Sequence, residues 1–358
     1  MNQRVLMIPG PTNLSEDVLK ALCQPMVGHT SKEFYEEFKE TQLLTAKLFG
    51  SSEERTVILS GSGTFGMEAF FASFTNAGDK VLSLVNGYFG NRIVEIGNIY
   101  GLKIKTLDFG PGKDIDLDLV RKELEKEKYD VVTATHIDTS TGVINEIHEL
   151  GNLVKQHNAL FMVDMVSSLG CVNFKFEDEP VDYAFSASQK CVGAPPGVSM
   201  IAFSEELLNA KKDVKPRSYY FDLKKWMAVM KDPSTYLTTP NIPVIRALRI
   251  ALHEVFEEGL EQKVKRHEEL GKLAYNFVKS QGWQPLASRP SPSVIAFDIG
   301  RPVASRIVDE MYKKGILIAK GFGDLKERVL RVGYMGWTTV ELLRNTLIKI
   351  SEIYRSIS

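Results

Sequence analysis

The sequence predicts an α/β protein in which a mostly parallel sheet is covered by helices. Between Thr56 and Val163, short apolar runs alternate with helical patterns, the signature of strands joined by crossover helices. Two further apolar runs, Val181 to Phe185 and Val198 to Phe203, complete a seven-stranded sheet. No full helix separates those two, so that pair need not be parallel. The chain has 358 residues, more than one small core accommodates, and long helical stretches take over after about Asn241. The expected organisation is an N-terminal arm and large domain over residues 1–250, then a smaller C-terminal α+β domain over residues 251–358, hinged near Leu252 to Leu260.

The elements follow in order. Lys32 to Leu48 reads as a helix ended by Gly50. Strands at Thr56 to Leu59, Lys80 to Val85, Lys103 to Leu107, Asp130 to Thr135 and Leu160 to Val163 alternate with helices at Thr64 to Thr75, Asn91 to Tyr100, Asp116 to Lys126 and Glu146 to His157. Ile242 to Phe256 and Leu260 to Lys279 are long helices. In the second, Leu260, Val264, Ala274, Phe277 and Val278 share a face, and Gly282 stops it. Strands at Ser293 to Phe297, Ile316 to Ile318 and Val329 to Val332, with a helix from Val303 to Tyr312, precede a closing helix from Thr338 to Tyr354.

Composition narrows the function. Hydrophobic residues make up 44% and charged residues 25% of the chain, and 44 basic residues meet 45 acidic ones, a net charge of -1. That is the balance of a soluble globular protein, and it favours neither nucleic acid nor a membrane surface as partner. Cys23, Cys171 and Cys191 are odd in number and widely spaced, which argues against a disulfide framework or a zinc cluster and suits a reducing compartment. The apolar run Val5 to Ile8 breaks at Pro9-Gly10-Pro11, too soon for a signal-peptide core. A cytoplasmic enzyme is expected.

Six segments carry possible chemistry. In Ser186-Ala187-Ser188-Gln189-Lys190, a lysine stands between an apolar strand and the Gly- and Pro-rich loop Cys191 to Gly197. With little water around it, such an amine loses its proton readily and can bond to a carbonyl carbon. Ser60 to Gly66 follows a strand and opens a helix, where close backbone and free N–H groups make an anion site. Gly61, Gly63 and Gly66 also match the G-x-G-x-x-G of dinucleotide folds, but the next strand ends in Asn86-Gly87 instead of an acid, and a plain tight turn competes with both readings. Asp164 ends a central strand. It is either a loop or capping carboxylate or the partner of a heterocyclic N–H. The turn His136 to Gly142 offers hydroxyls that bond either a ligand or local backbone, and a lone His136 there is more often structural. Phe89 either stacks on a flat cofactor or packs in the core. Arg331, inside Val329 to Gly333, sits in a salt bridge or offers its planar fork to a carboxylate ligand; that stretch alone favours the salt bridge.

Together these segments resemble the pyridoxal-phosphate enzymes of fold type I, and within them the class V aminotransferases, with the greatest likeness to alanine–glyoxylate and serine–pyruvate aminotransferases. The resemblance runs from Pro9-Gly10-Pro11-Thr12-Asn13-Leu14 to Arg331-Val332-Gly333 and rests on S-G-S-G, T-S-T-G, V-D-x-V-S-S, S-x-S-Q-K-C and R-x-G in combination. It implies pyridoxal 5'-phosphate as cofactor, carried by Lys190, with Asp164 on the pyridine nitrogen and Val166 beneath the ring. Phe89 stacks above, where the family often has Trp. Ser62, Gly63 and Thr64 hold the phosphate, and Thr64 stands where the family often has His. Thr139 touches the ring hydroxyl and Gln189 lies beside the phosphate. Tyr236 and Thr239 reach the phosphate of the neighbouring subunit, which implies a homodimer with shared sites, and Arg331 clamps the substrate α-carboxylate. No metal is implied.

The implied reaction is ping-pong transfer of an amino group from a small amino acid, alanine or serine, to a 2-oxo acid, glyoxylate or pyruvate. A 2-aminoethylphosphonate–pyruvate or ureidoglycine–glyoxylate transaminase shares the frame. A cysteine desulfurase needs a mobile-loop cysteine, and none of the three cysteines is in an obvious flexible loop. From a different class, a nicotinamide-dependent dehydrogenase would use the Gly61 to Gly66 loop. A catalytically dead scaffold is disfavoured by the presence of Lys190, Asp164 and Arg331.

Overall fold

The computed structural model describes residues 4–357. The apolar runs become β1 (Thr56–Ser60), β2 (Lys80–Val85), β3 (Lys103–Asp108), β4 (Val131–Thr135), β5 (Leu160–Asp164), β6 (Tyr183–Ala187) and β7 (Val198–Phe203). They form one seven-stranded sheet in the order β1-β7-β6-β5-β4-β2-β3. Only β7 runs against its neighbours; every other pairing is parallel. Two reversals around β7 leave β1 running with the rest, so the carboxyl ends of all strands but β7 open on one edge. β6 begins at Tyr183, not Val181; just before it, the Asp182 carboxylate accepts the Phe161 N–H at 2.7 Å and the Lys155 ammonium at 2.6 Å.

Helices α1 (Glu16–Leu22), α2 (Lys32–Phe49), α3 (Gly63–Phe74), α4 (Tyr88–Ile99), α5 (Leu117–Lys126), α6 (Ile147–Gln156), α7 (Glu205–Ala210), α8 (Leu223–Lys231) and α9 (Ile242–Glu258) surround this sheet. Ser15, Ser31, Ser62, Asp116, Ser204 and Asp222 each accept a first-turn N–H and so fix where six of them start. The sequence reading missed α1, α7 and α8. Their signals were the caps Ser15, Ser204 and Asp222 and, in α8, the buried positions Leu223, Trp226, Val229 and Met230.

Beyond α9 come α10 (Leu260–Ser280), β8 (Gln284–Pro285), β9 (Val294–Asp298), α11 (Ala304–Lys313), β10 (Ala319–Lys320), β11 (Val329–Gly333) and α12 (Val340–Ser356). These strands pair antiparallel in the order β8-β9-β11-β10. Two main cores result. The larger contains Phe70, Phe185, Leu248, Leu252 and Val255, and the smaller contains Leu270, Phe297, Leu330 and Leu347. Packing passes from one to the other at Gly259, where φ is 85°: α9 is one continuous helix whose apolar face stays on α1 and α2. The arm also departs from expectation. Val5–Leu6 pairs in parallel with Ile316–Leu317, and Met7 is buried in the smaller core. The inner face of α10 holds Lys263 and His267 along with Leu270, Ala274 and Val278, whereas Leu260, Val264 and Phe277 are only half-buried. Among the described residues, no helix is long and apolar enough to cross a membrane.

Candidate active site

The aligned strand ends deliver most of the candidate side chains to one cavity of about 270 Å³. Lys190, Asp164, Val166, Ser62, Gly63, Thr64, Phe89, Thr139 and Gln189 all line it. A ligand crevice at the carboxyl edge of a parallel sheet is the general rule for such folds.

Asp164 is the last residue of β5, and its Oδ1 accepts the Val166 N–H at 2.9 Å. Burial pushes its carboxyl up to about 7; the Asp138 charge adds to this, while the Val166 N–H, Lys190 and Arg92 work against it. Lys190 lies just beyond β6. Its amine donates to the Pro9 carbonyl oxygen, and burial pushes it down to about 8 despite the opposing pull of Cys191 and Asp164. The loop behind it is bonded to itself: Ser188 Oγ donates to Pro195 O at 2.5 Å and accepts the Val198 N–H at 3.2 Å, and Gly193 N donates to Lys190 O at 3.0 Å. The arm forms the opposite wall. Gly10 has φ 93°, and a Cβ there would stand 2.6 Å from Lys190 Cδ, so only glycine brings the backbone this close.

At the other end, Ser62 Oγ accepts the Phe65 N–H at 3.3 Å, and the N–H groups of Gly63 and Thr64 at the start of α3 have no intrahelical acceptor. Arg92 lines the same end. Its Nη1 donates to Thr64 Oγ1 at 3.3 Å, and its guanidinium lies 4.8 Å from the centre of the Phe89 ring. Gln189 Oε1 is buried without a hydrogen-bond partner.

Asp138 sets the Phe89 wall. Its Oδ2 accepts the Phe89 N–H at 2.9 Å, and its Oδ1 accepts Ser140 N at 2.8 Å and Ser140 Oγ at 2.5 Å. Ser140 Oγ in turn accepts the Tyr88 N–H at 2.9 Å. A buried carboxylate thus caps α4, favoured there by the helix dipole although burial raises its proton affinity. A Cβ on Gly87 would fall 2.2 Å from Asp138 Cγ, so this close approach requires glycine.

Arg331 is not in a salt bridge: among the described residues no carboxylate lies within ion-pair distance, which overturns the reading its own stretch favoured. Its Nε donates to Lys320 O at 2.6 Å and its Nη1 to Thr139 O at 3.2 Å, and the guanidinium carbon lies 4.2 Å from the centre of the Phe322 ring. Burial lowers its proton affinity to about 10, opposed by Asp138. Arg331 is not itself a wall of the cavity; it grips Thr139, which is. Tyr236 and Thr239 are exposed and outside the cavity, with the Tyr236 ring edge-on to His29 at 4.6 Å. His136 is buried off the cavity and pushed down to about 4 by burial, a neutral structural histidine. Cys171 and Cys191 are buried, and Cys23 is exposed at the end of α1. Sequence reasoning missed Gly10, Pro11, Arg92 and Asp138. Arg92 was findable, since it follows Phe89 by one helical turn and so shares its face.

The family described as aminotransferase class-V matches residues 11–324. Alanine–glyoxylate aminotransferase 1 of Saccharomyces cerevisiae is 32% identical, over 93% of this chain and 92% of its own. The crystal structure of ureidoglycine–glyoxylate aminotransferase from Bacillus subtilis superposes with a TM-score of 0.94 at 28% identity, over 99% of this chain and 94% of its own. The aspartate aminotransferase of subgroup IV from Thermus thermophilus does so with a TM-score of 0.90 at 31% identity, over 99% and 100%.

Proposed function

The chain belongs to the class V aminotransferases, and from that premise we propose that it moves an amino group from alanine or serine to glyoxylate or pyruvate, using pyridoxal 5'-phosphate held at Lys190. One observation carries this. A buried amine of lowered proton affinity and a buried carboxyl share a cavity, and beside it stands Arg331, a guanidinium with no carboxylate partner among the described residues. The residues suit the cofactor. The free N–H groups of Gly63 and Thr64 and the Arg92 guanidinium suit a phosphate. Phe89 and Val166 offer apolar walls to a ring, Asp164 suits its nitrogen, Thr139 its hydroxyl, and Gln189 lines the same cavity.

When bound, the cofactor supplies an aldehyde for covalent attachment and a protonated ring that draws electrons from the substrate Cα. This chain's residues do the rest. Lys190 Nζ, its proton affinity lowered by burial, is the nucleophile that would carry the cofactor and the base that takes the Cα proton once the donor is bound. The same nitrogen returns that proton, and Pro9 O holds the amine on the cavity side. Arg331 binds the α-carboxylate with its fork, and the arm over Lys190 keeps water out. Donor and acceptor use the one site in turn.

The exposure of Tyr236 and Thr239 fits a homodimer in which each subunit completes its partner's phosphate site. Unpaired cysteines, two of them buried, are in keeping with a cytoplasmic location. A 2-aminoethylphosphonate donor has no α-carboxylate, so Arg331 would need a different role. Family membership sets aside a nicotinamide-dependent dehydrogenase. The test is Lys190→Ala, assayed with alanine and serine against glyoxylate and pyruvate. The wild type is expected to turn over and to absorb in the visible; the variant loses both. A variant that keeps full transaminase activity refutes the assignment.

A further inference from the structure

We propose that Phe322 and Tyr88 set the size of the amino-acid side chain the enzyme accepts, a proposal that rests on Arg331 taking the α-carboxylate. The two rings come from segments beside different sheets. Tyr88 opens α4 on the large sheet, and Phe322 lies between β10 and β11 of the small one. They stack at 4.6 Å between centroids with their planes 8° apart. The stack continues at both ends. The Arg331 guanidinium lies 4.2 Å from the Phe322 ring, and that of Arg92 lies 5.2 Å from the Tyr88 ring. Arginine, tyrosine, phenylalanine and arginine thus form one ladder, and neither arginine has a carboxylate partner among the described residues.

Both rings remain at the surface, 43% exposed for Tyr88 and 37% for Phe322, so core packing does not account for them. Neither ring lines the cavity, but each lies against a residue tied to it. Tyr88 meets Phe89, a cavity wall, edge-on at 5.6 Å, and Arg331 grips Thr139, another wall. A donor whose carboxylate rests on Arg331 sits against the guanidinium that covers the Phe322 ring. A methyl or hydroxymethyl group at that Cα leaves the stack in place. A longer side chain must push Phe322 off its two partners and give up aromatic stacking together with a cation–π contact. The ladder selects for small donors by the contacts that larger ones break.

The experiment compares kcat/KM for 2-aminobutyrate with that for alanine in the wild type, Phe322→Ala, Phe322→Leu and Tyr88→Ala, each loaded with cofactor. Competitive inhibition constants of propionate and valerate give a readout that needs no turnover of the probe. One methylene in an apolar pocket commands roughly tenfold to a few hundredfold. Phe322→Ala and Tyr88→Ala are expected to raise the 2-aminobutyrate to alanine ratio about tenfold and to tighten valerate relative to propionate; Phe322→Leu lies between. Ratios within about twofold of wild type in an enzyme active on alanine overturn the proposal and leave the transaminase reading standing. A wild type inactive on alanine and serine overturns that reading, and this one with it.

Discussion

Burial sets Lys190 and Asp164 against their ordinary titration, in opposite directions. Folded, Asp164 keeps its proton up to about 7, whereas its ordinary value is 3.8. Between those values the folded chain holds the extra proton, so this contribution to stability is whole below 3.8 and lost as pH rises through about 7. Lys190 is the reverse: folded near 8, ordinarily 10.5, it favours the unfolded chain below about 8, and that penalty fades as pH rises towards 10.5. For cofactor-free protein, Asp164→Asn is expected to flatten the fall in melting temperature between about pH 5 and pH 7. An unchanged slope would show that the carboxyl is not held protonated. Arg331→Lys keeps the charge but loses the planar fork. It should raise KM for alanine by about tenfold or more, the weight of a charged hydrogen bond, while the visible spectrum stays as in the wild type; an unaltered KM would remove Arg331 from the substrate.

Among the elements, the start of α4 carries the most consequence for the cavity. Asp138, Ser140 and the Phe89 N–H form one buried network, and Gly87 leaves it room. Gly87→Ala should destabilise the fold by about 1–3 kcal/mol and weaken cofactor binding in an absorbance titration, because Phe89 moves with the cap. Cofactor affinity equal to wild type would mean that Phe89 is no wall of the cofactor site. The same region shows what was legible in the chain. β2 and β7 are readable to the residue, since each is an apolar run bounded by polar or glycine-rich turns. Lys190 and Asp164 were findable for the same reason: each ends or follows an apolar strand, and strand ends are where such folds place ligands. Asp138 was not, because its role lies in backbone N–H groups about fifty residues away in the chain. Nor was the Pro9 carbonyl, which has no side-chain signature at all. Arg331 misled locally; an arginine in an apolar strand usually needs a carboxylate, and here two backbone carbonyls and a phenyl ring satisfy it.

At the scale of the molecule, the site draws on the large sheet, the small sheet and the arm, and in the proposed dimer on a second copy. That sharing has a direct test by mixing. Lys190→Ala subunits and subunits with Tyr236→Ala and Thr239→Ala are each expected to be impaired. Refolded together, they form hybrids in which one site combines an intact Lys190 with intact Tyr236 and Thr239 from across the interface. Recovered activity in the mixture is the expected outcome; activity no higher than the mean of the two parents would mean that each subunit completes its own site.

The arm is seated on the smaller sheet's side before it reaches Lys190: Val5–Leu6 lies against Ile316–Leu317, and then Pro9 comes over the lysine. A nascent chain leaving the ribosome therefore exposes Lys190 long before the segment that seats its cover has been translated. Completion of the wall over Lys190 therefore waits on a strand some three hundred residues downstream of the arm, and folding of the site couples the two ends of the chain.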